Sequence, residues 1–188
     1  TLSSSSAASD VYKRQVYKRF LITLGKQVSI ESQILYSLSL MPNWCSNRVD
    51  VYSENKTDLQ KVLDIFSDEE SVFGKVIPEP NWKTIKNEDG ELPVDRESPY
   101  PPQFPKSGKT DDRWYNWRNA NWDTKWDVAG NVDIEEERWK NELESFTAEF
   151  QTAWAPPEGI CMRLRQLFPN VNISWFYDEP GMQTAGYL

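Results

Sequence analysis

Histidine is missing altogether from this 188-residue chain. That absence excludes a Ser-His-Asp triad, a Cys-His nucleophile pair and every histidine-ligated metal centre. Cysteine is scarce as well. Cys45 and Cys161 are the only two, too few for a disulfide framework or an iron–sulfur cluster, and they lack zinc spacing. Both read as reduced cytosolic thiols serving as core side chains, because neither has an evident base beside it. Glycine is thin and scattered: Gly159, Gly181 and Gly186 stand alone, so no glycine-rich loop cradles a phosphate. No apolar run approaches the ~20 residues that a membrane helix needs. Positive charge is in deficit, with a net charge of −8. The first forty residues hold five of the basic and only two of the acidic side chains, so the remainder is more acidic still. This balance repels phosphate backbones and anionic membranes, so neither nucleic acid nor a membrane is an expected partner. No cofactor is expected, and the location read from these features is cytoplasmic.

Tryptophan is what the chain has in excess. There are nine, within a total aromatic share of 13%, which is incompatible with a disordered chain despite 27% charged residues. The stretch DDRWYNWRNANWDTKWDV, from Asp111 to Val128, holds Trp114, Trp117, Trp122 and Trp126. Each ring buries a large area and still needs a partner for its indole N–H. Such a run is either a keystone of the core or an aromatic recognition surface.

Residues 1–40 read differently from the rest. Ser5 to Gln15, SSAASDVYKRQ, resembles the translation of a transposon-based sequencing-library adapter, and its tail recurs at once as VYKR from Val16. Phe20 to Leu40 reads as translated upstream DNA. The short FLITL run is followed by no small-residue cleavage site and is not a signal peptide. Met41 is taken as the natural start, and residues 1–40 as a non-native, disordered leader.

From Met41 the pattern predicts a single α+β domain over 41–188. NRVDVYS, from Asn47, alternates as a half-buried strand. A capping box at Thr57–Gln60 opens an amphipathic helix carrying Leu59, Val62, Leu63 and Phe66. VFGKVI, from Val72, is read as a second strand. Residues 82–110, with Pro93, Pro99, Pro101, Pro102 and Pro105, form a long Pro-rich insertion loop. Asp111 and Asp112 open an inserted helix over 111–121. Trp114, Trp117, Trp122 and Trp126 cannot share one helical face, so that helix breaks around Asn121-Trp122-Asp123. Lys125 to Glu135 reads as a strand, with a helix over Ile134 to Leu143 as its alternative. Arg138 to Asn141 is the turn and Leu143 to Trp154 the return strand. Pro156-Pro157-Glu158 launches a helix with Ile160, Leu164, Leu167 and Phe168 inward. Val171, Ile173, Trp175 and Tyr177 alternate as a strand, and Gln183 to Leu188 reads as a last strand cut short by a truncated C-terminus. The order predicts a ferredoxin-like antiparallel sheet with two helices on one face.

Four motifs carry a family resemblance: MPNWCSN from Met41, WYNWRNANWDTKWD from Trp114, FQTAWAPP from Phe150 and FYDEPGM from Phe176. Together they resemble the YubB-type ferredoxin-like domain family, small proteins carried on phages and plasmids. The resemblance implies a ferredoxin-like fold, here a shape and not a cluster protein, and it brings no catalytic residues. One departure is Asp123, where the WGTKW-like segment of the family leads one to expect glycine.

The residues that could carry chemistry are few. Glu135-Glu136-Glu137, with Glu142 and Glu144, lack the ordered loop of a cation site and read as a solvated hairpin. Asp178 and Glu179 precede Pro180-Gly181 as acids on a rigid turn, which suits either a carboxylate-based enzyme around Glu179 or an ordinary turn. Lys125, between Trp122 and Trp126, fits a cation–π pocket for an anionic or aromatic ligand, or a salt bridge to Glu179 or Asp127 that locks the segment to the sheet. The candidate binding surface is therefore Trp114, Trp117, Trp122, Lys125, Trp126 and Glu179, with no catalytic residue assigned. The expected role is a non-catalytic protein-binding module, its partner an unknown host or phage protein. The alternative is an acidic nucleic-acid mimic that inhibits a host enzyme.

Overall fold

The computed structural model describes residues 43–97 and 100–188. The leader expectation for residues 1–40 lies outside them. Strand β1, Trp44–Tyr52, buries alternate residues, Cys45, Asn47, Val49 and Val51, as its sequence pattern requires. Helix α1, Lys56–Phe66, follows. Its N-cap is Asn55, whose side chain accepts from the Asp58 N–H, two residues ahead of the expected capping box. The α1 stripe of Leu59, Val62, Leu63 and Phe66 is buried against the sheet.

The next element corrects the sequence reading. Val72–Val76 is a five-residue helix, α2, and not a strand. Two contacts decide it, one local and one from far along the chain. The Ser71 hydroxyl accepts from the Gly74 N–H at 3.0 Å, and the distant Asp127 carboxylate accepts from the Phe73 N–H and the Ser71 hydroxyl. Val72, Phe73 and Val76 then point into the core together, a helical spacing that the short apolar run concealed. Among the described residues of 85–112, strand pairing is limited to isolated bridges, Val94 with Gln103 and Gln103 with Thr110. Helix α3, Arg113–Asn121, ends with Trp122 as its C-cap, followed by Asp123 at φ 61°. The left-handed turn is thus present without the glycine, in a residue type that tolerates it.

Strand β2 is Ala129–Trp139 and β3 is Glu142–Ala153. β2 begins four residues later than Lys125, and the helical alternative over 134–143 is not adopted. The register shifts between Ala129 and Asp133, where Gly130 takes φ 72°. Phe146, Ala148, Phe150 and Thr152 share the buried face of β3, while Trp154, at φ 73°, leaves the alternation. Helix α4, Glu158–Leu167, buries Ile160, Cys161 and Leu164, whereas Leu167 is exposed. β4 is Asn172–Glu179 and β5 Thr184–Tyr187.

The five strands form one antiparallel sheet in the order β2-β3-β1-β4-β5. Its first four positions are the ferredoxin-like arrangement, and β5 extends the β4 edge. The second strand of the first βαβ half is therefore β2, reached only after α2, α3 and the segment between them. One face of the sheet is packed with α1, α2, α4 and Trp122 into a single core. The other carries Ser46, Arg48, Asp50, Tyr52, Glu149 and Gln151, all exposed.

Candidate functional site

The Trp-rich segment folds inward at its C-terminal end. Trp122 is 1% exposed, edge-on to Phe73 and Trp117 at 5.8 and 5.7 Å between centroids, and its indole N–H donates to the Ile77 carbonyl at 3.0 Å. A buried indole needs such a partner. Trp114, Trp117 and Trp126 are partly exposed. Arg118 lies over both Trp114 and Trp122, at 5.2 and 4.9 Å, and donates to Glu79 at 2.8 Å. Glu79 in turn accepts the Trp82 indole N–H. Arg113, at the other end of α3, lies over Trp82 and Phe104, each at 5.2 Å. It makes a two-point pair with Asp111 and donates to the carbonyls of Ile85 and Trp82. The Arg113 guanidinium holds the Asp111 carboxyl below the usual aspartate range. These two arginines fasten the proline-rich segment to α3. Sequence reasoning missed them, although an Arg beside each end of the RWYNWR run was the available signal.

Lys125 and Glu179 are also enclosed, at 5% and 1% exposure. The Lys125 ammonium lies 4.2 Å from the Trp126 ring centroid and 5.7 Å from that of Trp154. Trp44 packs on Trp126 at 6.3 Å. Thr124, beside Lys125, donates its hydroxyl to the Ala153 carbonyl, which fixes this turn to the end of β3. Of the Glu179 carboxylate, Oε2 accepts from the Met182 N–H at 2.5 Å, while Oε1 accepts no hydrogen bond from any described residue. Nearby, Asn47 accepts from the Trp175 indole N–H and donates to the Thr152 hydroxyl. Burial pushes the Cys45 thiol up to about 11, with the negative charges of Glu179 and Asp178 adding to it. It stays a protonated thiol at neutral pH, and burial raises Cys161 in the same direction. Neither is an activated nucleophile.

The sequence-predicted surface therefore does not stay together as a surface. Trp122 and Lys125 are interior, because the break at Asp123 turns the chain into the core, and Glu179 is enclosed at the end of β4. Trp114, Trp117 and Trp126 remain at least partly accessible. Asp127, offered as a partner for Lys125, caps α2.

A feature outside that surface stands out at the β2–β3 turn. Trp139 is 68% exposed, held by a two-residue turn with Lys140 at φ 51° and Asn141 at φ 70°. This left-handed pair is the twist-matched hairpin connection. Around it, Glu136 pairs with Arg138, Glu137 accepts from Ser145 and Glu144 pairs with Lys56. The open sheet face is acidic: Asp50, Asp133, Glu135, Glu137, Glu149 and Asp178 surround Arg48, which pairs with Asp50 and Glu149. A groove of about 740 Å³ between the α1–α2 connection and β2 is lined by Asp68, Glu69, Glu70 and Asp127. Neither Lys125 nor Glu179 lines it. Among the described residues no group of three or more Asp, Glu or Cys side chains is arranged to hold a metal ion, and no helix is long and apolar enough to cross a membrane.

Residues 121–188 match the model of a family described as a ferredoxin-like domain in Api92-like protein. The match begins at the last residue of α3 and runs through β2, β3, α4, β4 and β5, so it covers four of the five strands, together with Lys125 and Glu179. No curated protein and no solved structure matches the chain. The similarity supports the ferredoxin-like domain and names no activity.

Proposed function

We propose that this chain is a non-catalytic protein-binding module, an accessory protein of the phage- and plasmid-borne YubB type, that meets its partner through the β2–β3 hairpin. The observation that carries the reading is the exposed Trp139 on its rigid turn. An amphipathic ring presented on a fixed backbone loses little freedom on docking, and Trp is enriched among the residues that dominate binding energy. The glutamates around it supply a polar rim. Trp114, Trp117 and Trp126 extend the contact only through the parts of their rings that face solvent. The proline-rich segment and α3 act in this reading as an insertion that stiffens the domain.

A second reading draws support from the acidic open face of the sheet. A face with six carboxylates around one arginine suits a basic partner surface, as in a nucleic-acid mimic that blocks a host enzyme. An enzyme centred on Glu179 has less to support it, since that carboxylate is enclosed. The test is quantitative capture of partners from host lysate with wild-type protein, Trp139→Ala, and Asp50→Asn combined with Glu149→Gln. Loss of a discrete partner with Trp139→Ala supports hairpin docking. Loss only with the carboxylate variant, together with a steep fall in binding as salt rises, supports the mimic. Identical partner lists for all three proteins contradict both.

A further inference from the structure

The outer edge of β2 is a long strand edge left open. The sheet ends at β2, and residues 133–137 pair with β3 in unbroken register, from Asp133 with Glu149 to Glu137 with Ser145. In an antiparallel ladder alternate residues turn their N–H and C=O away from the partner strand. Along β2 those outward groups meet no hydrogen-bonding backbone from any other described residue. No proline interrupts residues 129–139, and the irregularity near Gly130 lies ahead of Asp133. The two faces beside this edge differ. Toward the helices, Val132 and Ile134 are half-buried and line the groove of about 740 Å³ together with Phe66 and Val72, with Glu69 and Glu70 on its exposed side. The groove is the space that the inward side chains of a next strand occupy when a sheet continues. Toward the open face, Asp133, Glu135 and Glu137 recur at every second position, all exposed, and stand roughly 7 Å apart along the strand.

From these features we infer that β2 takes up an extended segment of the partner protein as a further strand, and that this segment alternates basic with apolar side chains. The backbone ladder supplies the attachment, and the two faces supply the selectivity. Successive side chains of a strand point to opposite faces. One set of the added strand therefore enters the groove over Phe66 and Ile134, where apolar side chains bury surface. The other set lies along Asp133, Glu135 and Glu137, where lysine or arginine finds opposite charge. The same carboxylates work against other occupants. A second copy of this chain, paired edge to edge, sets two rows of like charge against each other, and an acidic strand meets the same repulsion. The inference deepens the hairpin reading and rests on it: the added strand runs from the groove toward Trp139, the last residue of the same edge.

The probe is a synthetic peptide of about eight residues, a strand's length, alternating lysine and valine and capped at both ends. It is titrated into the full chain; binding is expected, and no binding overturns the inference. Two further peptides carry N-methyl groups on the backbone amides of the lysines or of the valines. Only one of these sets faces β2. One methylated peptide is therefore expected to bind as the parent does and the other at least about tenfold more weakly. Equal affinity of the two means adsorption by charge alone and overturns the inference. With the parent peptide bound, amide hydrogen exchange is expected to slow at alternate residues of 133–137, and unchanged exchange there contradicts strand addition. Asp133→Lys combined with Glu135→Lys alters two exposed side chains. It is expected to weaken the lysine peptide at least about tenfold and to favour a glutamate–valine peptide instead; an unchanged preference contradicts the basic partner. Trp139→Ala separates this inference from the reading beneath it. Partner capture lost in Trp139→Ala, with no peptide bound by wild type, leaves hairpin docking standing and strand addition refuted. Peptide bound by wild type, with capture indifferent to Trp139→Ala, leaves strand addition standing and removes the ring from the contact.

Discussion

Two turns of this molecule look alike in sequence and behave in opposite ways. Trp122 precedes a left-handed residue, Asp123, at the end of α3; Trp139 precedes the left-handed pair Lys140-Asn141 at the hairpin tip. The first ring is enclosed, with Phe73 and Trp117 on its edges and Arg118 over its face. The second is largely in solvent. The difference lies in what each turn is packed against. The α3 turn is sealed by α4, whose Gly159 N–H donates to Asp123 Oδ2 at 2.9 Å, and by α2 through the Ile77 carbonyl. The hairpin projects from the β2 edge of the sheet, where no element covers it among the described residues. A crowd of tryptophans therefore marks packing, and the isolated tryptophan at a tight turn is the one left for contact.

The comparison breaks most visibly at Trp122. Trp122→Ala removes a fully buried ring and is expected to cost about 3–5 kcal/mol of stability, measured by denaturant unfolding; a loss below about 1 kcal/mol would mean the ring is not a keystone. The seal itself is tested next. A Cβ on Gly159 would lie 2.1 Å from the Asn121 carbonyl oxygen, so Gly159→Ala must push α4 from the α3 turn, with an expected cost of about 1–3 kcal/mol. A neutral outcome would show that the two elements are not in close contact.

These two residues also show what could be read in advance. The break of α3 followed from the four tryptophans, which no single helical face can hold. The left-handed residue at that break, Asp123, was legible only as an anomaly in a family-like motif. The α2 helix was not legible, because a five-residue apolar run has no periodicity of its own and its deciding contact comes from Asp127, far along the chain. Trp139 was overlooked for a related reason: burial is set by what packs on a residue, and one aromatic in a charged hairpin carries no local mark of exposure. The interior placement of Lys125 and Glu179 likewise depends on long-range register, where two charged residues near turns look like surface.

A smaller effect is expected from acid. Arg113 holds the Asp111 carboxyl below its ordinary value, so the pair contributes stability above the ordinary aspartate value of about 3.9 and loses it as pH falls through the depressed value. Near-ultraviolet circular dichroism is expected to register loosening around Trp82 and Phe104 on acidification. In Asp111→Asn that component of the change is expected to be absent, and an unaltered acid transition would contradict the assignment. The smallest effect is at the other turn: Trp139→Ala is expected to change stability by no more than about 0.5 kcal/mol, and a larger loss would mean that the hairpin ring is structural after all.

Hydroxyl-radical footprinting of all nine tryptophans in the folded protein addresses the division between the two turns most directly. Oxidation is predicted to be fastest at Trp139, intermediate at Trp114, Trp117 and Trp126, and negligible at Trp122 and Trp175 until the protein unfolds. Oxidation of Trp122 at a rate comparable to that of Trp139 would contradict the account.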